Sequence, residues 1–98
     1  MYTFRHYDIV QEYLNSNKLL YPILTEAADK IKHFFPESSL FLEVISNPEE
    51  ESDTHLVLFI KTDLPPVEAI EKLDQLDEEW FLNFPADIMN NLSINLEF

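Results

Sequence analysis

Two runs in the middle of the chain, SLFLEVIS at 39–46 and THLVLFIKT at 54–62, limit the folds open to it more than any other feature. Both are rich in β-branched and aromatic residues and read as strands. Successive strand residues point to opposite faces of a sheet. One face of this hairpin carries Leu40, Leu42 and Val44 opposite Leu56, Leu58 and Ile60. The other carries Phe41 and Ile45 opposite Val57 and Phe59, relieved only by Glu43, His55 and Lys61. A half-solvated antiparallel hairpin alternates apolar with polar residues, whereas this one is apolar on both sides. Helices can meet one side. The far side needs a cover of its own, because contiguous apolar patches of a few hundred Å² mark interfaces. Phe41, Ile45, Val57 and Phe59 are therefore the candidate interface.

The flanking segments supply the near layer. Asp8 is placed to cap a short helix carrying Ile9, Val10, Tyr13 and Leu14, which Asn15–Asn17 interrupts. A second helix is expected from about Pro22, with Ile23, Leu24, Ala27, Ala28, Ile31, Phe34 and Phe35 at helical spacing and Pro36 as its stop. The acidic stretch NPEEESD then joins the two strands through a connection of about eight residues, with Asn47 and Pro48 suited to a turn. Thr62 or Asp63 caps a third helix begun by Pro65 or Pro66, whose apolar stripe is Val67, Ile70, Leu73, Leu76, Trp80, Phe81 and Phe84. Pro85 and Asn90–Asn91 bracket a connection. The closing NLSINLEF sets Leu92, Ile94, Leu96 and Phe98 on one face and Ser93, Asn95 and Glu97 on the other.

The order α-β-β-α-β predicts an α+β fold: a three-stranded antiparallel sheet of order 2-1-3, its second and third strands joined by a right-handed crossover, with the helices mainly on one face. No linker, repeat or low-complexity tract divides residues 1–98, so one domain is expected. The far face of the hairpin then has two possible covers. The N-terminal residues Tyr2, Phe4, Tyr7, Ile9 and Val10 can fold back over it, or a second copy can pack on it, making a homodimer.

Composition narrows the chemistry. None of the 98 residues is glycine, where average usage is about 7%. That excludes the Gly-rich phosphate loops of P-loop, dinucleotide-binding and kinase folds, and it assigns turns of positive φ to Asn or Asp. Cysteine is absent too, so there is no disulfide framework and no thiolate nucleophile or zinc ligand. The net charge is −13. Residues 1–32 hold four basic and four acidic side chains, so the whole excess comes from residues 33–98, with Lys61 and Lys72 against fifteen acids. A field of this sign repels nucleic-acid phosphate and anionic lipid. No stretch is long and apolar enough to cross a bilayer, and MYTFRHYDIV has no secretory-leader pattern. A cytoplasmic, bacterial-type protein binding neither nucleic acid nor membrane is expected.

No metal or cofactor motif is present. Glu49, Glu50 and Glu51 are consecutive, so their side chains diverge, and the glycine an EF-hand turn requires is missing. His6, His33 and His55 form no helical ligand pair. The stretch LDQLDEEWF at 73–81 reads as Trp80 and Phe81 anchoring a helix end in the core while Asp77, Glu78 and Glu79 stay in water.

The pattern FFPESSLFLEVISNPEEE…LVLFIKTD…EAIEKLDQLDEEWF resembles a group of small stand-alone bacterial, often cyanobacterial, proteins over roughly residues 22–82. The resemblance implies an α+β hairpin fold in one domain, and it brings no catalytic residue with it.

These features point to a non-catalytic protein-interaction or regulatory module. Its candidate acidic surface for a basic partner is Glu49, Glu50, Glu51 and Asp53 of the turn with Glu71, Asp74 and Glu78 of the third helix. The alternative is an enzyme whose metal or carboxylate site gathers Glu43, Glu49 and Asp53. A third reading is mimicry of nucleic acid by the acidic surface.

Overall fold

The computed structural model describes residues 2–47 and 50–98, and at 47 and 50–53 the backbone alone. The chain runs β1 (Tyr2–Phe4), α1 (Tyr7–Ser16), α2 (Leu20–Phe34), β2 (Ser39–Asn47), β3 (Glu50–Lys61), α3 (Pro66–Glu79), a 3-10 turn (Phe81–Asn83), α4 (Ala86–Asn91) and β4 (Leu92–Glu97). The class is α+β, as the hydrophobic pattern requires.

The sheet differs from expectation in size, order and direction. It has four strands in the order β1-β2-β3-β4. Only the central pair β2/β3 is antiparallel, with Leu40 opposite Ile60, Leu42 opposite Leu58 and Val44 opposite Leu56. β1 joins β2 in parallel, pairing Tyr2–Phe4 with Leu40–Leu42. β4 lies parallel to β3, with Leu92 opposite Leu56 and Ile94 opposite Leu58. The closing strand therefore sits beside the second strand of the hairpin, and the edge expected for it beside the first is occupied by the N-terminus. The hairpin is also longer than expected. Its ladder continues to Asn47 opposite Glu50, so most of the supposed loop is strand.

One hydrophobic core holds the helices on one side. Leu42, Leu56, Leu58, Ile60 and Leu92 of the sheet are fully buried against Val10 and Leu14 of α1, Leu24, Ala27 and Ile31 of α2, and Ala69 and Leu76 of α3. Val57 is equally buried yet belongs to the other face and takes no part in this cluster. All helices lie on one face while the strands reverse direction at the hairpin. The parallel crossovers β1→β2 and β3→β4 consequently have opposite hands, and one of them departs from the right-handed rule.

Helix ends follow the prolines more than the side-chain caps. α2 starts two residues before Pro22, which then sits in the first turn, and stops at Phe34 ahead of Pro36. Pro66 opens α3, with Pro65 in the cap position. Thr62 is not the cap; its hydroxyl accepts the Leu64 N–H at 3.1 Å and shapes the approach. Asp8 is not a cap either and lies in the first turn of α1, where a negative charge suits the helix dipole. The buried side of α3 is Ala69, Leu73 and Leu76, whereas Val67 and Ile70, expected in its stripe, are 70% and 51% exposed. Helix periodicity alone left the phase of that stripe open, and packing against α2 selects Ala69. The 3-10 turn and α4 replace the expected helix end and connection.

The cap of α1 is His6, at φ 57° and ψ 67°, and it is the one positive-φ residue among those described. The turn assigned to Asn or Asp thus falls on histidine. Its carbonyl accepts the N–H groups of Ile9 and Val10 at 3.0 and 3.2 Å, which starts α1 directly after β1. A β-branched residue cannot take this conformation cheaply. His6→Val is expected to lower unfolding free energy by about 1–2 kcal/mol, and His6→Gly not to lower it, both measured by urea denaturation.

Candidate functional site

The helix-free face of the sheet is organised by a residue that the sequence alone did not single out. Thr3 pairs with Phe41 and Phe4 with Leu42, so along β1 the side chains alternate and Arg5, next in line, belongs with Thr3 on the helix-free side. The Arg5 N–H still donates to the Leu42 carbonyl at 2.9 Å, so the backbone stays in the ladder while its side chain crosses the sheet. The left-handed turn at His6 then carries the chain away to the helix side.

The Arg5 guanidinium reaches the opposite edge. Nη1 donates to Glu97 Oε2 at 2.8 Å and Nη2 to Glu97 Oε1 at 2.6 Å, a two-pronged pair. Adjacent strands are about 4.8 Å apart, so the outer strands of a four-stranded sheet stand about 14 Å apart. The two side chains together span that width. Beneath them lie the rings of β2 and β3: the guanidinium carbon is 4.4 Å from the Phe41 centroid and 5.1 Å from that of Phe59. Glu43 adds a longer contact, 3.6 Å from its Oε1 to Arg5 Nη1. Arginine suits this place because its planar cation can stack on rings and grip a carboxylate with two N–H groups at once.

The electrostatics are mutual. Hydrogen bonding to Glu97 raises the Arg5 pKa further above its already high ordinary value. The hydrogen bonds from Arg5 hold the Glu97 carboxyl below its usual 4.5 against the opposing effect of desolvation, with the charges of Arg5 and Lys61 adding to the lowering. The side chains of Arg5 and Glu97 keep 29% and 31% of their surface exposed, so solvent and salt screen the pair.

The four candidate interface residues share this face, in unequal shelter. Phe41 and Phe59 are directly opposite each other and half-buried. Val57 is 1% exposed, and Ile45, toward the hairpin end, is 37% exposed. Among the described residues the N-terminal segment covers the rings through Arg5, and not through the apolar side chains expected to do so. Tyr2 and Phe4 pack on the helix-side core and Val10 is buried in it, while Tyr7, stacked on Phe4, and Ile9 are exposed. Tyr2 fixes β1 from that side by donating its hydroxyl to the Leu24 carbonyl at 2.6 Å, and burial raises its pKa.

The candidate acidic surface divides in two. Glu71, Asp74 and Glu78 are all exposed, one helical turn apart along α3. Glu49 lies outside the described residues, as do the side chains of Glu50, Glu51 and Asp53, whose backbone belongs to β3. Of the carboxylates grouped as a possible metal or hydrolytic site, Glu43 is engaged by Arg5, and Glu49 and the Asp53 side chain are outside the described residues. Among the described residues no three His, Asp or Glu side chains gather closely enough to hold a metal ion.

The helix end LDQLDEEWF behaves partly as expected. Trp80 and Phe81 are buried, and the Trp80 indole N–H donates to Glu26 Oε1 on α2 at 2.8 Å. Glu78 and Glu79 are exposed, but Asp77 is half-buried, and its Oδ1 is buried without a hydrogen-bond partner. Desolvation, helped by Asp74, pushes its pKa up.

No protein-family model, no curated protein and no solved structure matches this chain.

Two outcomes follow from these contacts. Arg5→Ala is expected to lower the melting temperature at pH 7, and Arg5→Lys to recover only part of the loss. Because the folded Glu97 pKa is depressed, its stabilisation is present above 4.5 and disappears as pH falls through the folded value. The deficit of Arg5→Ala in a melting series should shrink over that same acid range. Asp77 has the opposite sign: its raised folded pKa favours the fold below the ordinary 3.8, and that advantage is lost as pH rises through the folded value. Asp77→Asn should therefore stabilise the protein at pH 7 by about 1 kcal/mol, with the gain fading near pH 3 in the same melts.

Proposed function

We propose that this chain is a non-catalytic protein-interaction module, cytoplasmic and acidic, which pairs with a second copy through the helix-free sheet face and offers its acidic surface to a basic protein partner. One observation carries the reading: helices cover one side of the sheet, whereas the aromatic pair Phe41 and Phe59 on the other lies beneath a single guanidinium. A layer one side chain thick leaves Ile45 exposed and leaves the face open to sheet-on-sheet packing.

Charge favours a second copy at this face. Most of a chain of net charge −13 repels its like. Among the described side chains Arg5 and Lys61 stand here with Glu43 and Glu97, two of each sign, so this part of the face is nearly neutral and can be self-complementary about a two-fold axis. The acids of α3 lie on the helix side, where Glu71, Asp74 and Glu78 can steer a basic partner without involving the pairing face. No helix among the described residues is long and apolar enough to cross a membrane.

Sedimentation velocity tests the pairing. The wild type should sediment as a dimer and Phe59→Glu as a monomer with unchanged far-ultraviolet circular dichroism. A wild type that is monomeric at 100 µM contradicts the reading.

A further inference from the structure

A second surface on this molecule has the features of a strand-acceptor site. β1 is three residues long and covers β2 only at Leu40–Leu42, whereas β2 continues to Asn47. Beyond Leu42 nothing described pairs with the outer edge of β2. Its backbone groups can be assigned from alternation. Leu42 accepts the Arg5 N–H on that edge, so Val44 and Ser46, two and four residues on, direct their N–H and C=O groups to the same side. Two donors and two acceptors are thus presented along an unpaired edge, a template for another strand.

Beside this edge is a cleft of about 260 Å³ between α1 and the hairpin, lined by Ile9, Glu12, Tyr13, Ser16, Val44 and Ser46 among others. Its walls are apolar at Ile9, Tyr13 and Val44 and anionic at Glu12. On the opposite side of the same edge stand Glu43 and the exposed Ile45. A strand laid along β2 would point alternate side chains to these two sides. One set would meet the cleft and the other Glu43 and Ile45, so each side offers apolar surface with a carboxylate.

We propose that the outer edge of β2 at Glu43–Ser46 binds an extended peptide of alternating basic and apolar residues by strand addition, with an apolar side chain in the α1 cleft. Main-chain hydrogen bonds supply affinity and the flanking pockets select side chains, as in other strand-addition complexes. Charge complementarity chooses the occupant: Glu12, Glu43 and a chain of net charge −13 favour a basic segment over a second acidic copy. This site shares Glu43 and Ile45 with the rim of the pairing face but takes its hydrogen bonds from the β2 edge, away from Phe59.

The test uses a capped octapeptide alternating lysine with valine, titrated against the full chain at 50 mM salt by fluorescence anisotropy. Binding is expected, and methylating the peptide amides that face the edge should weaken it at least about tenfold, the loss of one to two hydrogen bonds. Ser46→Pro removes an outward N–H and leaves the backbone ladder to β3 in place, losing on that side only the exposed hydrogen bond that Thr54 Oγ1 donates to Ser46 Oγ at 3.2 Å, for which Ser46→Ala is the control. The proline variant should weaken binding by a similar factor while leaving the melting temperature close to wild type. Glu12→Lys should weaken binding, and Phe59→Glu should leave it intact whether or not the chain dimerises. No binding, or equal binding of the methylated and unmethylated peptides, overturns the proposal. So does a wild-type dimer that Ser46→Pro dissociates, since that would give the edge to a second copy.

Discussion

The contact on which the arrangement depends is the Arg5 guanidinium lying across the aromatic pair Phe41 and Phe59 and gripping Glu97. It ties the first strand to the last across a sheet whose neighbours in sequence are joined by two parallel crossovers and one hairpin. Each part of the N-terminus serves that placement. Tyr2 anchors β1 to α2, the Arg5 N–H keeps the backbone in the ladder, and His6 turns the chain back to the helices. A positive charge is scarce here, with six basic residues against nineteen acids. Placing one on the sheet brings it against two carboxylates and over two aromatic rings.

That arrangement explains how a hairpin apolar on both sides can exist in a small chain. Leucine and isoleucine fill the near side against three helices. The far side is roofed by a cation, which leaves a surface part aromatic and part ionic. Such a surface is compatible with water and with a partner, because a guanidinium over aromatic rings is also a group favoured at protein interfaces.

The strand faces were legible in the sequence because side-chain alternation has a period of two. Leu40, Leu42, Leu56, Leu58 and Ile60 lie on the helix side, and Phe41, Val57 and Phe59 on the other, as parity requires. The edges were not legible. β1 is only Tyr2–Phe4, too short to show alternation, and its partner is 38 residues away, Tyr2 opposite Leu40. Without that strand the edge of β2 is vacant, and the hydrophobic pattern alone assigns it to the closing strand. Arg5 is inconspicuous in the sequence for a related reason: it is one of four basic residues balanced by four acids in residues 1–32, and only the fold brings Glu97 to it. Val67 and Ile70 show the limit of helical periodicity, which finds an apolar stripe but not the phase that neighbouring helices will cover. His6 shows that with glycine absent a left-handed turn can pass to a residue other than Asn or Asp.

Nuclear magnetic resonance of the Arg5 side chain tests the central contact most directly. With the guanidinium stacked on Phe41 and Phe59, the Arg5 side-chain protons should show ring-current shifts upfield of unstructured arginine. The Nη protons, which donate to Glu97, should exchange slowly, and the side chain should give Overhauser contacts to both rings. Arg5 resonances at unstructured positions, with fast exchange and no contact to either ring, would contradict the account.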